Sequence, residues 1–148
     1  MDVVRLMRRQ FGAVLVVGAL GAGLLVGCSS DDTATTGTSA GTTDGASLSV
    51  SAFESFVGQD GVQVVDVRTP DEYTAGHLAG ATNIDVQGPF AAAIADLDKD
   101  ATYALYCRSG VRSATAKQAM LDAGFTHVVD LSGGILAWTQ AGLPVVTG

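Results

Sequence analysis

The stretch Thr102-Tyr-Ala-Leu-Tyr-Cys-Arg-Ser-Gly-Val-Arg-Ser-Ala-Thr-Ala-Lys-Gln-Ala-Met-Leu-Asp-Ala-Gly124 changes character in its middle. Thr102 to Tyr106 is apolar and β-favouring, Ala114 to Ala123 reads as helical, and Gly124 stands in the C-cap role. Cys107 to Ser113 is therefore a strand-to-helix loop that carries a cysteine. If that loop curls into a cup, its successive N–H groups point inward and the following helix aims its positive end at the same place. Both effects favour thiolate over thiol. Gly110 permits a backbone conformation that a Cβ would obstruct, and Arg108 and Arg112 concentrate positive charge in an otherwise acidic chain. The competing reading is a buried, inert cysteine ending a core strand, the ordinary fate of a lone cysteine. The flanking Arg, Gly and Ser argue for a reactive, anion-seeking Cys107 instead.

Strand and helix patterns alternate on either side of this loop. Leu48 to Val50 reads as a short strand, and Ser51 with Glu54 as a capping box opening a helix to about Val57. Val62 to Val67 is a run expected of a strand buried on both faces. Pro70 to Ala75 can form one helical turn, Ala81 to Ile84 a strand, and Pro89 to Leu97 a helix with Phe90, Ala93, Ile94 and Leu97 at helical spacing. Tyr103 to Tyr106 and Val128 to Asp130 read as strands, Ser113 to Ala123 and Gly134 to Gln140 as helices. The alternation implies an α/β domain of three layers, a mostly parallel central sheet of about five strands with helices on both faces. In such sheets sites form at the carboxyl ends of strands, which is where Cys107 falls.

Cys107-Arg-Ser-Gly-Val-Arg-Ser113 resembles the active-site loop of single-domain rhodaneses, sulfurtransferases that carry sulfur as a cysteine persulfide. Val65-Asp-Val-Arg68, Glu72-Tyr73, Gly76-His-Leu-Ala-Gly-Ala81 and Asn83-Ile84 are similar to that family's upstream pattern, and Gly133-Gly-Ile-Leu-Ala-Trp138 with Gly142-Leu-Pro144 to its C-terminal one. The resemblance runs from about Leu48 to the end of the chain. It implies a catalytic Cys107, with the N–H groups of Arg108, Ser109, Gly110, Val111, Arg112 and Ser113 holding the outer sulfur. It further implies a small anionic sulfur donor such as thiosulfate, a thiol or cyanide acceptor, and no metal or organic cofactor. Asp66, Arg68, Glu72 and His77 would be chiefly architectural.

Other residues admit other chemistry. Asp66, at the end of a buried-looking strand, could act as a base, but an ion-paired network with Arg68 reaching Glu72 is the better expectation, because partly buried charges normally occur paired. A zinc site needs three or four ligands, and His77 and His127 are the only histidines. A Cys-His dyad with His77 stays open on residue types alone, whereas the resemblance implies that His77 packs a loop. Trp138 is better suited to the core than to a pocket. A cysteine phosphatase or arsenate reductase would place an Arg six positions after the nucleophile; here Ser113 holds that place and Arg112 comes one residue early. A binding or sulfur-delivery module for a secreted partner is the alternative of a different class, and the complete loop favours chemistry over it.

Residues 1–27 read as a secretory signal, with Arg5, Arg8 and Arg9 before an apolar run from Phe11 to Val26. That run is short for a membrane-spanning helix, which needs about 20 apolar residues. Leu25-Val-Gly-Cys28 resembles a bacterial lipobox, which implies that Cys28 becomes the lipidated first residue. Residues 28–46 then form a Ser/Thr/Gly linker, and 47–148 the rhodanese-like domain. The expected location is extracytoplasmic, anchored to the bacterial cell membrane by lipid. Loss of residues 1–27 takes three Arg and one Asp from a chain of formal net charge −7, leaving 5 basic and 14 acidic residues and a net charge of −9. Nucleic acid is thus a poor partner, and the membrane is met through the lipid rather than through surface charge. With Cys28 lipidated, Cys107 is the only free thiol, so no intramolecular disulfide forms; a monomer is expected.

Overall fold

The computed structural model describes residues 44–148. The expected signal, Cys28 and most of the linker lie outside the described residues.

The elements alternate from the first strand to the last helix: β1 (Ser47–Leu48), α1 (Val50–Val57), β2 (Val62–Asp66), α2 (Pro70–Ala75), β3 (Thr82–Asn83), α3 (Phe90–Ala93), β4 (Thr102–Tyr106), α4 (Val111–Asp122), β5 (His127–Leu131) and α5 (Gly134–Gln140). The five strands form one sheet in the order β1-β5-β4-β2-β3, every pair parallel. This is the three-layer α/β fold expected from the alternation.

The cysteine-bearing strand lies at the centre. β4 pairs along its length with β2, Asp66 opposite Tyr106, and on its other side with β5, Leu105 opposite Asp130. Its side chains alternate between two cores: Tyr103, Leu105 and Cys107 join Phe90, Ile94, Ala116 and Met120 on the α3/α4 side, while Ala104 and Tyr106 join Phe53, Ile135 and Trp138 on the α1/α5 side. α4 buries Ser113, Ala116, Lys117 and Met120, one helical face that includes two polar residues.

Three local readings are corrected. β1 ends at Leu48, where Ser132 N donates to Leu48 O, so the chain turns early and Ser49 rather than Ser51 caps α1, its Oγ accepting from Ala52 N at 3.4 Å. Ser51 lies inside the helix. The expected helix from Pro89 to Leu97 holds only one turn, Phe90–Ala93, although Phe90, Ile94 and Leu97 do face the core. β2 is buried on both faces only at its carboxyl end, Val65 and Asp66; Gln63 is exposed, so the run marks the strand but overstates its burial.

Candidate active site

The loop begins where β4 ends. Gly110 adopts φ 93° and serves as N-cap of α4, and the chain turns back so that its N–H points at Cys107 Sγ across 3.1 Å. A Cβ at Gly110 would press against Gly133 N at 3.0 Å, so the turn requires glycine twice over, by dihedral and by space. The first-turn N–H groups of α4, on Val111, Arg112 and Ser113, have no acceptor within the helix and carry the positive end of its dipole. One donor, the Gly110 N–H, thus meets the sulfur, and α4 begins at the next residue. Cys107 is wholly buried at the floor of this cup.

The floor rests on α5. Ile135 N donates to Cys107 O at 2.8 Å and Leu136 N to Arg108 O at 3.1 Å, so the free N–H groups of one helix satisfy the carbonyls of the loop that precedes another. This demands that backbone meet backbone at Gly134. A Cβ there would fall 2.6 Å from both C and O of Arg108, and its φ of 58° is left-handed. Gly133 is constrained likewise, with φ 77° and a Cβ that would fall 2.7 Å from that of Ala137, so both glycines have a physical reason to be there.

Charge at the rim is arranged differently from expectation. Arg68 does not reach Glu72; it folds back on Asp66, with Nε 2.9 Å and 3.0 Å from the two carboxylate oxygens, and its Nη2 donates to Gly76 O at 2.6 Å. Glu72 instead takes Arg112, 40 residues away, in a two-pronged pair at 2.7 and 2.8 Å. Hydrogen bonding to the Arg112 guanidinium holds the Glu72 carboxyl at about 2, well below its ordinary value. The same carboxylate closes a capping box on α2, accepting from Thr69 N at 3.3 Å. Behind this rim, Tyr106 OH accepts from Leu78 N at 3.0 Å, and burial pushes its phenol far up, so it stays neutral. His77 stacks on Tyr73 with 3.8 Å between ring centroids, its Nδ1 donates to Tyr73 O at 3.0 Å, and its backbone bridges Val146. These contacts pack a loop against the C-terminal segment. Trp138 lies in the core, edge-on to Phe53, with Nε1 donating to Pro144 O at 2.9 Å.

One cluster beneath the loop escaped the sequence reading. Asp130, at the end of β5, accepts from Lys117 Nζ at 2.7 Å and from Ser47 Oγ at 2.6 Å, and its second oxygen lies 3.1 Å from Ser113 Oγ. Ser113 Oγ is equally within reach of Gly110 O, at 3.0 Å. A buried ion pair thereby links β1, β5 and α4 to the loop's own glycine. The available signal was the helical face Ser113, Ala116, Lys117, Met120, in which a lysine shares the spacing of core residues. No group of three or more His, Cys, Asp or Glu suited to a metal occurs among the described residues.

This is a parallel α/β domain with a buried cysteine in the loop between its central strand and the following helix, the Gly110 N–H set on the sulfur. The family model for the rhodanese-like domain matches residues 49–141, and the chain belongs to that family. A sulfurtransferase of Allochromatium vinosum is 36% identical over 85 residues, covering 57% of this chain and 78% of that protein. The thiosulfate sulfurtransferase GlpE of Shewanella oneidensis is 33% identical over 94 residues, covering 64% and 92%. A solved rhodanese-related protein from Thermoplasma volcanium superposes with a TM-score of 0.58 at 30% identity, over 69% of this chain and 98% of that one. Several other curated relatives are longer, and the chain spans about half of their length or less.

Proposed function

We propose that the protein is a sulfurtransferase in which Cys107 takes a sulfane sulfur from a small anionic donor, such as thiosulfate, and hands it to a thiol or to cyanide. The observation that carries this reading is the Gly110 N–H set 3.1 Å from Cys107 Sγ at the N-terminus of α4, in a family whose relatives include named sulfurtransferases. The Cys107 thiolate attacks the donor's outer sulfur. The donor's S–S bond breaks, its electron pair leaves with sulfite, and Cys107 holds a persulfide anion. N–H groups from Arg108 to Ser113 stabilise that anion. An acceptor nucleophile then attacks the outer sulfur and returns the Cys107 thiolate, a two-step cycle with ping-pong kinetics. The Arg112 guanidinium is already occupied by Glu72 and stands one residue short of the place that a phosphate cradle would need. This supports sulfur over phosphate.

Intact mass before and after thiosulfate tests the reading, with Cys107→Ser as control. A gain of one sulfur on the unmodified protein alone, reversed by cyanide with release of thiocyanate, is expected. No gain from thiosulfate or from a singly charged sulfane donor, in a folded protein whose Cys107 still alkylates, would refute it.

The reading includes anchorage outside the cytoplasmic membrane through a lipidated Cys28. Among the described residues no helix is long and apolar enough to cross a membrane. Incorporation of labelled palmitate that Cys28→Ser abolishes is the expected result; a soluble, unlabelled full chain would exclude the anchor. A second reading, delivery of sulfur to a docked protein, draws support from Val111 and Leu136, which leave 72% and 46% of their surface exposed beside the loop. Turnover on small donors too slow to measure, in a protein that still loads from a partner's persulfide, would favour it.

A further inference from the structure

Five cationic side chains lie among residues 44–148, and three are tied to carboxylates: Arg68 to Asp66, Lys117 to Asp130, and Arg112 to Glu72. Lys99 sits away from the loop, donating to Ala123 O and lying over Phe125. Arg108 is exposed, and among the described residues it has no carboxylate at ion-pair distance. The loop therefore carries two guanidinium groups but one uncompensated side-chain charge.

We propose that Glu72 sets the charge preference of the site: by neutralising Arg112 it leaves Arg108 as the loop's only free cation, so that singly charged sulfane donors are favoured over dianions. The inference rests on the persulfide reading above and names the donor class within it. Its geometry is a matched fork, Nη1 and Nη2 of Arg112 on Oε2 and Oε1 of Glu72, which uses the two donors that would otherwise grip an incoming oxyanion. Glu72 is itself fixed by Thr69 N and Thr69 Oγ1, at 3.3 and 3.2 Å, so it cannot swing aside freely. On the α2 side the pair's carboxylate faces the backbone and hydroxyl of Thr69. A dianion entering this rim finds the Asp66–Arg68 and Glu72–Arg112 charges already paired and one cation, Arg108, to meet it.

Two donors isolate the charge. Thiosulfate and the methanethiosulfonate anion offer the same terminal sulfur. With thiosulfate, Cys107–S⁻ forms a new S–S bond and sulfite leaves with the electron pair; with methanethiosulfonate the same bond forms and methanesulfinate leaves. Total charge is conserved in each case, and the donors differ by one negative charge. The experiment measures kcat/KM for both on the full-length chain and on Glu72→Gln, which keeps the side chain's length and an acceptor for Thr69. Freeing Arg112 acts on a dianion about twice as strongly as on a monoanion, so the thiosulfate-to-methanethiosulfonate ratio should rise about fivefold. The double variant Glu72→Gln with Arg112→Gln should lose that rise, and Glu72→Ala should show the same sign should the glutamine variant misfold. A ratio that stays within twofold, or falls, in folded protein overturns the role of Glu72 while leaving sulfur transfer intact. Failure of both donors to load Cys107 overturns both readings.

Discussion

Lys117→Met removes the cation from the ion pair beneath the loop while keeping most of the side chain's volume. Lys117 and Asp130 side chains are 10% and 2% exposed, so the remaining carboxylate would stay in a dry site with only the hydroxyls of Ser47 and Ser113 to balance its charge. Removing one partner of a buried pair costs about 3–5 kcal/mol. For a domain near this size each kcal/mol corresponds to about 4–8 °C, which places the melting temperature at least about 12 °C lower. The double variant Lys117→Met with Asp130→Asn should recover about 2 kcal/mol or more, because the amide keeps hydrogen-bonding capacity without an unpaired charge. Urea unfolding at pH 7 of the parent, both single variants and the double variant closes the cycle, and single-turnover sulfur loading at 15 °C reports whether Ser113 and Gly110 still hold the loop. A single-variant cost under about 1 kcal/mol, or a double variant no more stable than Lys117→Met, would refute the reasoning.

Gly134→Ala should destabilise by about 2–4 kcal/mol, since a left-handed φ and a backbone overlap act together, and should slow sulfur loading by displacing the support under Cys107; thermal unfolding and loading rate measure the two effects. Tyr106→Phe removes the acceptor of Leu78 N and should cost about 1–3 kcal/mol in urea unfolding without altering the mass gained from a donor. The Glu72–Arg112 pair should contribute about 1 kcal/mol, a modest value because both side chains are partly exposed. Glu72 is held at about 2 against an ordinary 4.5, so its folded-state value is depressed. Its contribution is complete above about pH 5 and disappears as pH falls toward 2; comparing parent and Glu72→Gln at pH 7 and pH 3 should show a difference that shrinks.

What was legible in the chain was local. The change of periodicity at Cys107, the run Val62 to Val67 and the stop at Gly124 each report on residues a few positions apart, and they placed β4, β2 and α4 to within two residues. The misses are pairings across the sequence. Arg68 and Glu72 sit four apart, and their opposite charges suggested a bond, but Arg68 is aligned with Asp66 by the strand end and Glu72 meets a guanidinium that α4 delivers from 40 residues away. Asp130 similarly draws on Ser47, 83 residues earlier. Charge type says that a partner is needed, whereas topology chooses which one.

The support that α5 lends to the cup has a consequence for the order in which the protein is made. Cys107 leaves the ribosome before Ile135 and Leu136, the residues whose N–H groups hold its carbonyl and that of Arg108. At about 5–20 residues per second, roughly 30 residues of delay leave the thiol without its floor for at least about 1.5–6 s. The parallel pairing of β4 with β5 is delayed in the same way, because each parallel strand must await its crossover helix. The nascent chain thus passes through a stage in which the Cys107 thiol is complete in covalent terms but lacks the backbone contacts that hold it in the finished fold.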